Sequence, residues 1–179
     1  MEITEVILVD EQDQPCGVVE KMEAHRRGVL HRAFSIFIFN SQGEMLLQQR
    51  AFEKYHSGGL WTNACCSHPF PGEETIQAAI RRLREELGFE TKLEKIFDFV
   101  YKADFDNGLI EHEFDHVFTG YYEGKIVMNP EEVKDVCYKS MTGIQRDLLE
   151  EPAKYTAWFR LAFPKVFDWW EANYNAKAI

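Results

Sequence analysis

Apolar positions along the chain change period several times, and each change marks an element. Ile3 to Val9 reads as a strand, Gln12 to Pro15 as a turn, and Gly17 to Glu20 leads into a polar, helix-like stretch from Lys21 to Arg27. Ala33 to Phe39 is rich in β-branched and aromatic residues, as a mostly buried strand would be. Asn40-Ser41-Gln42-Gly43 predicts a hairpin turn into a returning strand, Met45 to Gln49. A loop with Gly58-Gly59 runs from Arg50 to Trp61, and Trp61 to Ser67 is short and strand-like before Pro69, Pro71 and Gly72 break the chain. Ile76, Ala79, Ile80, Leu83 and Leu87 recur at helical spacing, which predicts a helix from Glu73 to Leu87 closed by Gly88. Strands follow at about 92–102 and 109–122, joined through Asp106-Asn107-Gly108, whose Asn-Gly pair favours a hairpin. Another helix is predicted from Thr142 or Gly143 to near Pro152. Thr156 is placed as the cap of a last, aromatic helix, Ala157 to about Tyr174, interrupted at Pro164. With no internal repeat or linker-like run, a single domain over residues 1–179 is expected. Its class is α/β (α+β), a mixed sheet sandwiched by flanking helices.

Charge narrows the partners. Twenty Lys and Arg against thirty Asp and Glu leave a formal charge of −10. Such a surface repels nucleic-acid phosphates and anionic membranes, so neither is expected as a partner. No apolar stretch approaches the roughly 20 residues of a membrane helix. Met1-Glu2-Ile3-Thr4-Glu5 lacks the basic and apolar regions of a signal peptide. Cys16, Cys65, Cys66 and Cys137 suit neither a disulfide framework nor a zinc knuckle, so a cytoplasmic chain with reduced thiols is expected.

Several polar residues could carry chemistry. Glu111 and Glu113 share one face of a strand-like stretch, where two carboxylates repel unless a positive charge lies between them. His25, His31 and His68 would complete a mixed nitrogen and oxygen donor set suited to Zn, Mn or Fe; a solvated face and ordinary packed histidines explain the same residues. Glu86 sits at the edge of the helix's apolar stripe, either paired with Arg82 or holding a metal. Cys66 is either a buried small hydrophobe or a reactive thiol. Lys21, Arg50, Lys54 and Arg82 would favour its thiolate and attract phosphates. Cys65 should face the other side of the strand, and Trp158 belongs to the core unless its ring faces a cationic intermediate. These residues permit a metal-assisted site for an anion without naming a reaction.

Their order does more. Gly58-Gly59-Leu60-Trp61-Thr62-Asn63-Ala64-Cys65-Cys66-Ser67-His68-Pro69, then Gly72-Glu73 and Arg81-Arg82-Leu83-Arg84-Glu85-Glu86-Leu87-Gly88, resembles the type I isopentenyl-diphosphate isomerases, a branch of the Nudix superfamily. Glu20 to His25, Leu30 to Ser35 and Glu111-His112-Glu113 match as well, so the resemblance spans about residues 3 to 160. Against the Nudix helix signature the chain departs twice. Ser67 stands for the first Gly, and Arg82 stands for the first helix Glu, which takes away a carboxylate used in hydrolysis. The resemblance implies a Nudix-type fold and a 1,3-allylic proton shift from isopentenyl to dimethylallyl diphosphate in isoprenoid biosynthesis. It implies a metal site of His25, His31, His68, Glu111 and Glu113, holding Mn²⁺ or Zn²⁺, and a Mg²⁺ held with the diphosphate by Glu86. Cys66 and Glu113 would be catalytic, with Tyr101 hydrogen-bonding beside them; Glu113 would add the proton and Cys66 remove one. Lys21, Arg50, Lys54, Arg82 and Trp158 would bind substrate. A monomer or weak homodimer is expected, and pyrophosphohydrolysis of a nucleoside diphosphate derivative is the alternative activity.

Overall fold

Residues 4–54 and 56–174 are described by a computed structural model; Ile3, the expected start of the first strand, lies outside them. In chain order the elements are β1 (Glu5–Val9), β2 (Pro15–Glu20), α1 (Lys21–Arg27), β3 (His31–Phe39), β4 (Met45–Arg50), β5 (Trp61–Thr62) and β6 (Cys65–Ser67). They continue as α2 (Thr75–Leu87), β7 (Leu93–Asp104), β8 (Ile110–Tyr121), β9 (Val133–Lys139), α3 (Met141–Glu150), a 3₁₀ turn (Pro152–Lys154) and α4 (Ala157–Tyr174).

Among the described residues the strands form one mixed sheet in the order β2-β1-β3-β4-β5, with β6 and β8 also pairing with β3, β7 with β8 and β9 with β4. Among the described strands only the β3–β8 pair runs parallel. Both faces of β3 are apolar because helices cover both. Phe34, Ile36 and Ile38, with Leu46, meet Ala78, Ala79, Leu83 and Leu87 of α2. The alternate residues Phe37 and Phe39, with Met45 and Leu47, meet Ile144 of α3 and Trp158, Phe159, Ala162 and Phe163 of α4. The period of two along a strand thus sorts one sequence run into two cores, and the α+β sandwich is as expected. No helix among the described residues is long and apolar enough to cross a membrane.

Three local expectations need correction, and one strand was not anticipated. The stretch from Trp61 to Ser67 is two strands: β5 pairs with β4, and β6 pairs with β3. Asn63 makes the break, its amide donating to Ile36 O at 3.1 Å and Cys65 O at 2.9 Å in place of ladder bonds. Pro164 lies inside α4 without interrupting it. One lost backbone bond is outweighed by Trp158, Phe159, Ala162, Phe163 and Val166, all buried along that helix. β9 is the unanticipated strand: it pairs with β4, with Val133 buried, Val136 and Tyr138 packed against the α2-side core, and Lys134, Asp135 and Cys137 exposed. Finally, α3 starts at Met141, capped by Ser140, whose Oγ accepts from Gly143 N at 3.2 Å.

Glu73 lies before α2 rather than in it. Its carboxylate accepts from Arg81 Nε (2.8 Å) and Nη2 (2.9 Å) and from Phe70 N (2.9 Å), clamping the preceding turn to the helix. Those bonds, Arg81's first, lower its pKa. The stabilisation is therefore present above the ordinary carboxylate pKa and lost as pH falls through the lowered folded value. Glu73→Gln is expected to reduce stability by about 1–2 kcal/mol near pH 7, with the gap to wild type closing as pH falls through the lowered carboxylate pKa; urea denaturation across an acid pH series measures it.

Candidate active site

β3 and β8 run in register with His31 beside Glu113, Ala33 beside Asp115 and Ser35 beside Val117. Alternation therefore puts Glu111, Glu113 and Asp115 on the face that carries Ser35 and Phe37. At one end of this face α1 brings in His25, the first residue of β3 is His31, and the end of β6 brings in His68. Ligand atoms of His25, His31, His68 and Glu113 all lie within 4.8 Å of one another, and all four residues are buried.

Backbone contacts set the orientation of two of these rings. His25 Nδ1 is 2.7 Å from Lys21 O, and His31 Nδ1 is 2.9 Å from Val29 O. A carbonyl oxygen only accepts, so each Nδ1 carries the hydrogen and Nε2 faces the cluster, the arrangement common in metal-binding histidines. Burial lowers the pKa of His25 and takes His68 to about 3, which keeps both imidazoles neutral. Glu113 Oε1 lies 3.0 Å from His68 Nε2 and 3.5 Å from His31 Nε2. Three imidazoles and a carboxylate, sequestered and convergent, fit a divalent transition metal.

Tyr101, on β7 opposite Glu113, ties the two glutamates together. Its hydroxyl lies 2.6 Å from Glu113 Oε2 and 3.0 Å from Glu111 Oε2. Burial and then the neighbouring Glu113 charge push the Glu111 carboxyl well above its usual range. Burial also opposes charge on Glu113, but His31 and His68 outweigh it and hold that group as a carboxylate. Glu111 thus stands outside the four-donor group; its Oε1 is 3.2 Å from His56 Nε2.

On the other flank of β3 the break at Asn63 swings Cys66 opposite Ser35. The Cys66 thiol donates to Asn63 Oδ1 at 3.1 Å and lies 3.5 Å from Ser35 Oγ. Ser35 in turn donates to Asp115 Oδ2 at 2.7 Å. Burial first, then the Asp115 charge, push the thiol far above its ordinary value, with Arg50 opposing only weakly. The expectation of a thiolate favoured by nearby cations is therefore corrected: the cations are present, but desolvation prevails. Cys65 faces the opposite way into the α2 core, fully buried.

Cys66, Tyr101, Glu113 and Trp158 line one cleft whose walls also include Lys21, Arg50, Lys54, Arg82 and Glu86. Burial, followed by the charges of Lys54 and Arg82, lowers the Lys21 pKa, which shows how closely these cations are gathered. Arg82 Nη2 is 2.6 Å from Glu86 Oε1 and 3.3 Å from Glu132 Oε1, and Lys54 also pairs with Glu132. Arg50 Nε and Arg82 Nε have no hydrogen-bond partner among the described residues. Two guanidinium groups with buried donors to spare, beside two lysines, make an anion site in a negative protein.

The NUDIX domain family model matches residues 29–159. The chain is 54% identical to the isopentenyl-diphosphate Delta-isomerase of Pectobacterium atrosepticum over 96% of each chain. It is 52% identical to isopentenyl-diphosphate Delta-isomerase 2 of Aromatoleum aromaticum over 92% of this chain and 87% of that one. The chain belongs to the isopentenyl-diphosphate Delta-isomerase family of Nudix proteins. Fold likeness reaches further: the MutT protein of Methanosarcina mazei Go1 superposes with a TM-score of 0.62 at 20% identity, covering 76% of this chain and 91% of that one.

In this isomerase-family chain the structure gathers the residues expected from sequence into two adjoining groups, the buried donor cluster and the cleft. Of the two readings left open for Glu86, the structure shows the pairing with Arg82; its carboxylate also accepts from Gln48 Nε2 at 3.0 Å. Sequence reasoning missed His56, Asn63, Ser35, Asp115 and Glu132. Of these, Asn63 and Ser35 left a trace, standing inside the motifs before Cys66 and after His31.

Proposed function

We propose that the chain interconverts isopentenyl and dimethylallyl diphosphate by a 1,3-allylic proton shift. The observation that carries this reading is one cleft with Cys66 at one flank of β3, the Tyr101–Glu113 pair at the other, and four cations along its wall. Lys21, Arg50, Lys54 and Arg82 bind the diphosphate and direct the alkene between the two proton-exchanging flanks. Protonation at C4 gives a species close to a tertiary cation at C3, and loss of a proton from C2 completes the shift. Each flank holds both a proton and an acceptor: the Cys66 thiol with Asn63 and Ser35, and the Glu111–Tyr101–Glu113 set. The Trp158 ring offers electron density to the cation, worth about 2 kcal/mol once water is excluded. When bound, Mn²⁺ or Zn²⁺ at the His25, His31, His68 and Glu113 donors fixes that carboxyl and tunes its acidity, while Mg²⁺ held with the diphosphate by Glu86 supplies countercharge. Arg82 takes a position where a hydrolase needs a carboxylate, so pyrophosphohydrolysis is not favoured. A thiol at Cys66 that must stay reduced suits the cytoplasm.

Incubation with isopentenyl diphosphate and Mg²⁺ in D₂O, followed by NMR, tests the reaction. The expected result is dimethylallyl diphosphate carrying deuterium in the methyl group formed from C4. Release of inorganic phosphate or pyrophosphate without an alkene shift would replace this reading with hydrolysis.

A further inference from the structure

Two sets of donors meet at the buried end of the cleft, and only one has been used. Besides the four-donor group, ligand atoms of His25, His56 and Glu111 also lie within 4.8 Å of one another, all buried. The sets share His25, so they adjoin. His56 comes from the glycine-containing loop between β4 and β5. It enters the cleft through a turn in which Ser57 takes a φ of 52°, a region that non-glycine residues rarely adopt. Gly59 follows at φ 78°, and a Cβ there would come within 2.7 Å of the Phe52 ring. The loop thus accepts local strain on its way to placing an imidazole where it is only 7% exposed. Once inside, the ring is clamped. It stacks on Phe105 at 4.7 Å and meets Trp158 edge-on at 5.8 Å. Its Nδ1 faces Ser57 Oγ at 3.2 Å, and its Nε2 is aimed at the carboxylate of Glu111.

We infer that His56 is an additional ligand of the divalent-metal centre, beside the Glu111 that the family resemblance already assigns to it. Two donors that bind one ion at about 2.0–2.1 Å each stand at most about 4 Å apart, so donors already within 4.8 Å of one another close on an ion by modest side-chain rotation. His56 repeats the pattern of His25 and His31, with Nδ1 engaged locally and Nε2 facing the cluster. Joined through the shared His25, the two sets together hold four imidazoles and two carboxylates. Such a nitrogen-rich set selects a borderline transition ion such as Zn²⁺, Mn²⁺ or Fe²⁺ over Mg²⁺.

This inference rests on the metal-centre reading above, and one experiment separates the two. Wild type, His56→Gln and His56→Ala are loaded with Zn²⁺. Bound metal is counted by elemental analysis, affinity is read by competition with a chromophoric chelator, and the imidazole shell is counted by X-ray absorption. The expected result is one ion per wild-type chain and one imidazole fewer around zinc in both variants. Affinity should fall about 10–100-fold, with the thermal melts of the metal-free proteins alike. Stoichiometric zinc with an unchanged imidazole count in the variants overturns the inference and leaves His56 as a residue that only positions Glu111. Failure of the wild-type chain to take up an ion overturns the metal centre itself, and His56's place in it.

Discussion

Cys66→Ala should turn over isopentenyl diphosphate at least about 10³-fold more slowly than wild type while folding normally. The size of the loss follows from the reaction: an unactivated alkene needs a proton delivered at one carbon and removed at another, and one flank of the cleft would have no group to do so. The small structural effect follows from what surrounds the sulfur. Asn63 Oδ1 still accepts from Thr62 Oγ1 at 2.9 Å, and Ser35 keeps its bond to Asp115, so truncation orphans neither group. Thr62 is itself held by Thr156 Oγ1 at 2.9 Å, which anchors this corner to the start of α4. The lost volume is one half-buried sulfur, costing about 1 kcal/mol. Steady-state kinetics with thermal denaturation and metal content on the same preparation make the check. A variant within tenfold of wild-type turnover would remove Cys66 from the proton exchange.

How much of this could be read from the chain depended on whether neighbours in sequence decide the outcome. The run from Ala33 to Phe39 and the helical stripe of α2 were legible because burial repeats at the period of the element. β9 was not, since its pairing with β4 depends on backbone hydrogen bonds and only Val133 of its side chains is fully buried. Pro164 misled because its local penalty is small beside the apolar face that α4 buries. In the site, His25, His31, His68 and the two glutamates were visible as ordered motifs, yet their convergence is a product of β3–β8 register, α1 and the β6 turn. His56 stands in an aperiodic loop, where no pattern distinguishes a ligand-like histidine from a surface one. The protonation of Cys66 was equally out of reach: the cations could be counted, but the burial that outweighs them exists only in the folded chain.

Glu113→Gln should act more broadly than Cys66→Ala, and the difference is informative. The carboxylate meets His68 and His31 through Oε1 and Tyr101 through Oε2, so it belongs to the donor cluster and the cleft at once. An amide keeps the shape but not the charge, and its NH₂ turned toward His31 and His68 would oppose a bound cation. Expected are a fall in bound divalent metal from about one per chain to a small fraction and a turnover loss of about 10³-fold or more. Tyr101→Phe separates the two effects. It removes a hydrogen bond from Glu113 without touching the imidazoles, so metal content should hold while turnover drops about 10–100-fold. Chelation of wild type should abolish activity, and added metal should restore it to wild type and Tyr101→Phe but not to Glu113→Gln. If Glu113→Gln retained both its metal and its turnover, a carboxylate at this position would be needed for neither task. Proton exchange on that flank would then pass to Glu111, whose carboxyl already shares the Tyr101 hydroxyl and carries the raised pKa of a buried acid.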